Sequence, residues 1–407
     1  MEEFELETEK VYLIQPVESN DSKALREEAE SLIESAGAVC AGAICPVVRE
    51  INPATYIGPG KLAELRERLE GLDLTILFNG ELSPSQTLNI SAALDNRKVI
   101  DRTTLILDIF ARHAQSNEGK LQVELAQLKY IYPRLRGKGI GLSRLGGGIG
   151  TRGPGETKLE TDRRRIRMRI DLLEKKIAAL STRRDLTSSR RTKNNVKTVA
   201  LIGYTNVGKS TLLNKLTQSE VYADDKLFAT LDTTARRCKI DGREFVLTDT
   251  VGFLRELPHN LISAFRSTLD SALSCDLALL VYDALGDYEM QIKTTLAALD
   301  DMGRKVPYLL VANKSETVSE RTAFPSGSIF ISARTGAGLD KLKSEIRRFF
   351  DSKYTRCILR IPYERMREYG RIKGLVEELS FRYDDTFLEV KANVPNIYLD
   401  RFAQFCI

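Results

Sequence analysis

Apolar positions in the first 116 residues alternate between short continuous runs and helical spacing. Val11–Ile14, Ala38–Cys45, Leu74–Phe78 and Val99–Asp101 are the runs, and they read as buried strands. Between them, Ser22–Ala36 sets Ala24, Leu25, Ala29, Leu32 and Ile33 on one helical face, and Gly37 ends it. Lys61–Leu69 and Thr104–Arg112 read as further helices. Another is expected from Ser83, a capping residue followed by Pro84 at the first helical position, to about Leu94. This β/α alternation predicts a parallel sheet in an N-terminal domain, residues 1–116.

The pattern then changes. Lys120–Arg134 carries Leu121, Leu125, Leu128 and Tyr132 at helical spacing. Gly137–Gly155 is dense in glycine and reads as a loop bearing Lys138, Arg144 and Arg152. Glu156–Arg184 resumes helix, with Leu159, Ile166, Ile170, Leu173, Ile177 and Leu180 on a heptad-like stripe best read as packing. Two helices around a loop make an αα-hairpin over 117–193, with Ser181–Asn195 expected as a polar linker. From 194 to 352, the runs Val199–Ile202, Phe245–Thr248, Leu277–Tyr282, Val306–Val311 and Ser328–Ile331 alternate with amphipathic helices, predicting a second α/β domain. Residues 353–407 read as a small α+β domain: a strand at Cys357–Ile361, a helix, strands near Val376–Tyr383 and Phe387–Ala392, and a short helix. The fold class is therefore multidomain α/β.

Composition narrows the function. The chain has 407 residues, 42% hydrophobic and 29% charged, which excludes a disordered protein. No apolar run reaches the roughly 18 residues of a membrane span, and the acidic start Met1-Glu2-Glu3 is unlike a signal peptide. Six cysteines without a C-x-x-C pair fit a reducing cytoplasm, and two histidines leave little for a histidine metal site. Charge is uneven. Residues 131–193 hold 18 Lys/Arg against 6 Asp/Glu, a local +12 in a chain of net +5. One basic segment on a mildly acidic protein implies a polyanionic partner, most simply nucleic acid.

The sharpest chemical pattern is Gly203-Tyr204-Thr205-Asn206-Val207-Gly208-Lys209-Ser210, between an apolar strand and the helix starting Thr211-Leu212. It matches G-x-x-x-x-G-K-[ST], in which backbone N–H groups and a helix N-terminus surround phosphates. Lys209 is expected at the β/γ-phosphates and Ser210 on Mg²⁺. Further segments follow in the order a GTPase requires. Asp249-Thr250-Val251-Gly252 offers a carboxylate for Mg²⁺ and an amide for the γ-phosphate. Phe228-Ala229-Thr230 precedes it, with Thr230 expected to close onto metal and γ-phosphate. Asn313-Lys314-Ser315-Glu316 and Ser332-Ala333 sit where a purine would be read, the latter through a backbone amide to guanine O6. The candidate nucleotide contacts are Gly203, Asn206, Val207, Gly208, Lys209, Ser210, Thr211, Phe228, Thr230, Asp249, Gly252, Asn313, Lys314, Glu316, Ser332 and Ala333. Ser210, Thr230 and Asp249 are the candidate metal ligands, and Lys209, Thr230 and Gly252 the candidate catalytic groups. Phe253 stands where many GTPases carry a water-orienting Gln, so intrinsic hydrolysis is expected to be slow.

These segments, with Gly58-Pro59-Gly60-Lys61 and the run Gly146-Gly147-Gly148-Ile149-Gly150-Thr151-Arg152-Gly153-Pro154-Gly155-Glu156-Thr157, resemble the HflX family over nearly the whole chain. The resemblance implies four parts: an N-terminal HflX domain (1–116), a basic helical hairpin (117–193), a P-loop GTPase domain (194–352) and a small C-terminal domain (353–407). It implies GTP/GDP and Mg²⁺ as ligands and binding to the large ribosomal subunit, and the protein is expected to be cytoplasmic and monomeric. The hairpin 131–193 would enter ribosomal RNA. The implied activity is GTP hydrolysis, stimulated by the ribosome and coupled to the splitting of stalled or idle ribosomes. The sequence departs from the family pattern at Glu316, where Asp is usual, and at Thr233, where Pro is usual. The extra methylene of Glu316 shifts its pairing with guanine and keeps a purine NTPase of relaxed preference as an alternative. A nucleotide-gated RNA-binding or assembly factor is the other. Gly58-Pro59-Gly60-Lys61 itself is too short for a phosphate loop and reads as a turn. Tyr12, Tyr130 and Tyr132 read as core, and Arg236 and Arg237 as a solvated pair.

Overall fold

The computed structural model describes residues 8–17, 22–135, 154–193, 197–217, 235–250, 252–255, 273–303, 305–318 and 323–406. They form two compact units, 1–335 and 336–407. The expectations for Phe228, Thr230, Thr233 and the run Gly146–Arg152 lie outside the described residues.

The first unit begins with a four-stranded parallel sheet. Its strands are β1 (Lys10–Ile14), β2 (Val39–Ile44), β3 (Thr75–Phe78) and β4 (Val99–Asp101), in the order β2-β1-β3-β4. Helices α1 (Ser22–Ser35), α2 (Pro59–Arg68), α3 (Pro84–Ala93) and α4 (Arg102–His113) connect or follow them. Local chemistry starts the helices as expected. At α3, Ser83 and Gln86 form a reciprocal cap, each side chain accepting from the other's backbone N–H, and Asp101 caps α4. Ile14, Leu65, Ile76, Phe78 and Ile90 fill one face of this sheet. Tyr12 and Tyr130 are buried with the core, as read from their spacing.

Two long helices follow, α5 (Asn117–Arg134) and α6 (Pro154–Lys193). Leu173 is fully buried in their seam, and the pairs Arg169–Glu124 (2.6 Å) and Lys129–Glu174 (2.7 Å) join them. The linker expected over Ser181–Asn195 is instead helix as far as Lys193. Between Glu156 and Asn195 no Pro or Gly interrupts the chain, so nothing local stops the helix, and a polar composition alone does not end it.

The second sheet has six strands in the order β10-β9-β8-β5-β7-β6. They are β5 (Lys197–Gly203), β6 (Ala235–Ile240), β7 (Arg243–Asp249), β8 (Leu277–Asp283), β9 (Tyr308–Asn313) and β10 (Ile329–Phe330). All neighbours are parallel except β6, which returns beside β7 through Asp241-Gly242. β6 was not legible as a strand, because Ala235-Arg236-Arg237 leave it few apolar positions; both arginines are exposed at this sheet edge. Helices α7 (Lys209–Thr217) and α8 (Tyr288–Asp301) belong to this layer.

The second unit holds α9 (Leu339–Asp351), which the pattern grouped with the preceding domain, and an antiparallel sheet of order β11-β13-β12. Its strands are β11 (Tyr354–Pro362), β12 (Glu377–Tyr383) and β13 (Phe387–Pro395), with helices α10 (Met366–Ile372) and α11 (Leu399–Phe402). Leu359, Ile361, Val390, Ala392 and Phe402 form its core.

Candidate nucleotide site

Strand order reverses around β5, whose neighbours are β7 on one side and β8 on the other. Open α/β sheets bind ligands at such a switch point, beyond the carboxyl ends of the strands. The turn Gly203–Gly208 leaves β5 at this place and leads into α7, whose first N–H groups have no intrahelical acceptor. Asn206 takes a left-handed φ of 58°, which Asn tolerates. Gly208 has φ +86°, and a Cβ there would lie 2.4 Å from Asn313 Nδ2, so only glycine fits.

Lys209 is buried, and its Nζ donates to the carbonyls of Tyr204 (2.6 Å) and Gly203 (3.2 Å). Burial pushes its pKa down to about 8, against the pull of Asp249. An ammonium held dry in this way is poised for an anion. Ser210 Oγ donates to Asp249 Oδ2 at 2.6 Å, and Asp249 Oδ1 accepts from the Thr250 N–H at 2.9 Å. A hydroxyl and a carboxylate side by side are hard oxygen donors, the set that suits Mg²⁺ with phosphate and water completing the shell. Lys209, Ser210, Asp249 and Gly252 are thus brought together as expected.

The far end of the site differs in detail from its reading. Asn313 is buried at the end of β9. Its Nδ2 donates to Val207 O at 2.7 Å and its Oδ1 accepts from the Ala333 N–H at 2.8 Å, so it ties the phosphate turn to the segment after β10. One Nδ2 hydrogen remains for a purine edge. The Ala333 N–H, expected at guanine O6, is already given to Asn313, and a base would have to share it. Ser332 donates to the Glu316 carboxylate and accepts from the Thr335 N–H (3.0 Å). That bond holds the Glu316 carboxyl below the usual carboxylate range, so it stays ionised at neutral pH. Lys314, at a left-handed φ of 59°, pairs with Asp283 at 2.8 Å.

A further group of residues escaped the sequence reading. Tyr204, inside the phosphate turn, donates to Glu28 of α1 and accepts from the Arg255 N–H at 2.9 Å. Arg102 of α4 also donates to Glu28, and it reaches Asn79 Oδ1 (2.8 Å) and the Arg255 carbonyl (3.0 Å). Phe253 is buried beside them, with its N–H on Gly203 O and its carbonyl on the Thr205 N–H. The N-terminal layer is therefore hydrogen-bonded to both the phosphate turn and the segment after Gly252. The signal available was Glu28 itself: a charge set among Leu25, Ala29 and Leu32 on the apolar face of α1.

A phosphate-turn lysine, a Ser–Asp pair beyond it and an Asn-Lys-x-acid segment on the same sheet edge define a P-loop GTPase. Three families match consecutive parts of the chain: "GTP-binding GTPase N-terminal" at residues 23–111, "GTP-binding GTPase Middle Region" at 113–191 and "50S ribosome-binding GTPase" at 198–314. The chain is 46% identical to a GTPase HflX of Caldanaerobacter subterraneus subsp. tengcongensis, over 100% of this chain and 96% of that protein. It is 39% identical to GTPase HflX of Escherichia coli, over 91% and 89%. The chain belongs to the GTPase HflX family, and it binds and hydrolyses GTP. Among solved structures it is similar to a GTP-binding protein from the hyperthermophilic archaeon Sulfolobus solfataricus in complex with GDP. That likeness is 25% identity over 84% of this chain and 98% of the other, with a TM-score of 0.45. Among the described residues no helix is long and apolar enough to cross a membrane.

Proposed function

We propose that this GTPase is a nucleotide-driven switch that binds the large ribosomal subunit and dissociates stalled or idle ribosomes. The observation that carries the reading is the family membership, with a nucleotide domain akin to one described as 50S ribosome-binding. The hairpin agrees with it: Arg164, Arg165 and Arg167 are exposed on α6, away from the buried Leu173, as an RNA-facing surface requires. In this reading the chain works as an N-terminal domain, a basic hairpin, a nucleotide domain and a small C-terminal domain, and the protein acts as a cytoplasmic monomer.

Lys209 binds the β/γ-phosphates, and the turn amides of Asn206–Thr211 surround them. Ser210 and Asp249, with Thr230, would hold Mg²⁺, which would neutralise charge on the phosphate oxygens. Asn313 and Glu316 face the base, with Ser332 orienting the Glu316 carboxylate. Water attacks the γ-phosphorus, the bond to the β–γ bridging oxygen breaks, and GDP leaves with its charge near Lys209. Phe253 has no polar group to orient that water, so intrinsic turnover is slow and a partner raises it. Gly252 and Thr230 close in the triphosphate state. Because the segment after Gly252 is hydrogen-bonded to Arg102 and Tyr204, that closure is felt by the N-terminal layer.

The test is GTP turnover with and without purified large subunits, run beside ATP, together with sedimentation of intact ribosomes after GTP addition. Strong stimulation with loss of intact ribosomes is expected. Equal use of ATP would favour the purine NTPase suggested by Glu316. Stimulation without splitting would favour an assembly factor.

A further inference from the structure

We propose that the Thr205 side-chain hydroxyl is a catalytic hydrogen-bond donor to the γ-phosphoryl group during GTP hydrolysis. It rests on the nucleotide site proposed above and adds to it a residue that the phosphate-loop pattern leaves as an arbitrary position.

Thr205 lies in the middle of the phosphate turn, and its side chain is buried. Its N–H donates to the Phe253 carbonyl at 2.8 Å, which fixes its backbone against the segment after Gly252. Its Oγ1, in contrast, is buried without a hydrogen-bond partner among the described residues. The other buried polar side chains described in these two loops are satisfied. Tyr204 bonds Glu28, Lys209 bonds two carbonyls, Asp249 accepts from Ser210 and Thr250, and Thr250 Oγ1 donates to Leu201 O. A buried hydroxyl left alone is unfavourable in a folded protein, and it calls for an explanation.

Its position supplies one. A Cβ placed on Gly252 would lie 2.7 Å from Thr205 Cα and Cγ2 and 2.9 Å from Lys209 Nζ. Thr205, Lys209 and Gly252 therefore border one point. Lys209 and Gly252 are the two groups expected at the γ-phosphate, and Thr205 lies directly beside both, its Cα and methyl carbon being the atoms nearest Gly252. Phosphoryl oxygens carry the charge that spreads during transfer, and a donor preset in a dry site stabilises it without reorganisation. Phe253 contributes no polar side-chain atom at this place, so an additional donor from the turn is chemically useful. In the proposed complex a γ-phosphoryl oxygen accepts from this hydroxyl and gives it the partner it lacks.

The experiment uses the full chain and compares T205V, which keeps the β-branched shape and deletes the hydroxyl, with T205S, which keeps the hydroxyl. Three quantities are measured for each: GDP affinity, affinity for GDP with aluminium fluoride as a transition-state mimic, and single-turnover GTP hydrolysis. T205V is expected to hydrolyse about 10- to 100-fold more slowly, the worth of one hydrogen bond to a charged group. Its affinity for the fluoride complex should fall by a similar factor while GDP binding stays within about twofold, since GDP has no γ-phosphoryl group. T205S should recover turnover to within about threefold, the mark of a hydroxyl contact rather than of packing. T205A removes the same hydroxyl and serves if T205V does not fold. The proposal is overturned if the hydroxyl-free variants hydrolyse at the wild-type rate. It is equally overturned if GDP and fluoride-complex affinities fall together, because that pattern marks a structural role. Loss of GDP binding in K209A tests the site itself, so failure of the site and failure of this proposal read differently.

Discussion

Arg102→Met probes the link between the N-terminal layer and the nucleotide site. The Arg102 and Glu28 side chains are 3% and 11% exposed, so this is a buried ion pair. Methionine keeps much of the arginine stem but removes the charge and five donors. Glu28 is then left with the Tyr204 hydroxyl alone among its described partners, while Asn79 Oδ1 and the Arg255 carbonyl lose donors. Breaking a buried pair from one side costs about 3–5 kcal/mol, because the remaining charge is uncompensated. The three lost bonds share one side chain, so their individual worths do not add. Hydrogen exchange of amides in α1 and α4 is the suitable assay. It reads local opening in a large chain that need not unfold in two states, and this chain has no tryptophan to report on unfolding. Protection in both helices should fall by about 3–5 kcal/mol. In the double variant with Glu28→Leu, most of that loss should return, since an apolar pair of similar size replaces the ion pair at little cost. A loss below about 1 kcal/mol, or a double variant no better than the single one, would refute the reasoning.

Four further outcomes are expected. Lys209 ionises near 8 when folded against 10.5 as the reference value, so the unfolded chain binds more protons between those values. Stability of the nucleotide-free protein should therefore rise across that window, by up to about 3 kcal/mol, and be flat below it. GDP phosphates restore the Lys209 charge, so GDP binding at pH 9 should take up a proton; calorimetry in two buffers of different ionisation enthalpy reads this, and zero uptake contradicts it. Gly252→Ala forces a Cβ to within 2.7 Å of the Thr205 backbone, which should slow hydrolysis on the order of 100-fold while GDP still binds. Asn313→Ala leaves Val207 O and the Ala333 N–H without their shared partner, and GDP affinity measured by calorimetry should drop at least about tenfold.

The elements and the phosphate site were legible because their causes are local. Ser83-Pro84 with Gln86 states a helix start within four residues, and Gly203–Ser210 states a phosphate turn within eight. Errors came where local signals were ambiguous. The tail of α6 looked like a linker because polarity alone does not separate a helix from a loop. β6 was missed because an edge strand with two exposed arginines lacks an apolar run.

By itself, then, the order of residues determined the β/α alternation, the basic hairpin and the positions of Lys209, Ser210 and Asp249, since periodicity and turn chemistry act over a few residues. Only the tertiary structure decided that Asn313 braces the phosphate turn 106 positions away, and that Tyr204 meets Glu28 across 176. It also decided that Thr205, whose Oγ1 has no hydrogen-bond partner among the described residues, lies beside Lys209 and Gly252. Such pairings depend on which strand ends the sheet order brings together, and a side chain's partner is set by that topology rather than by its neighbours along the chain.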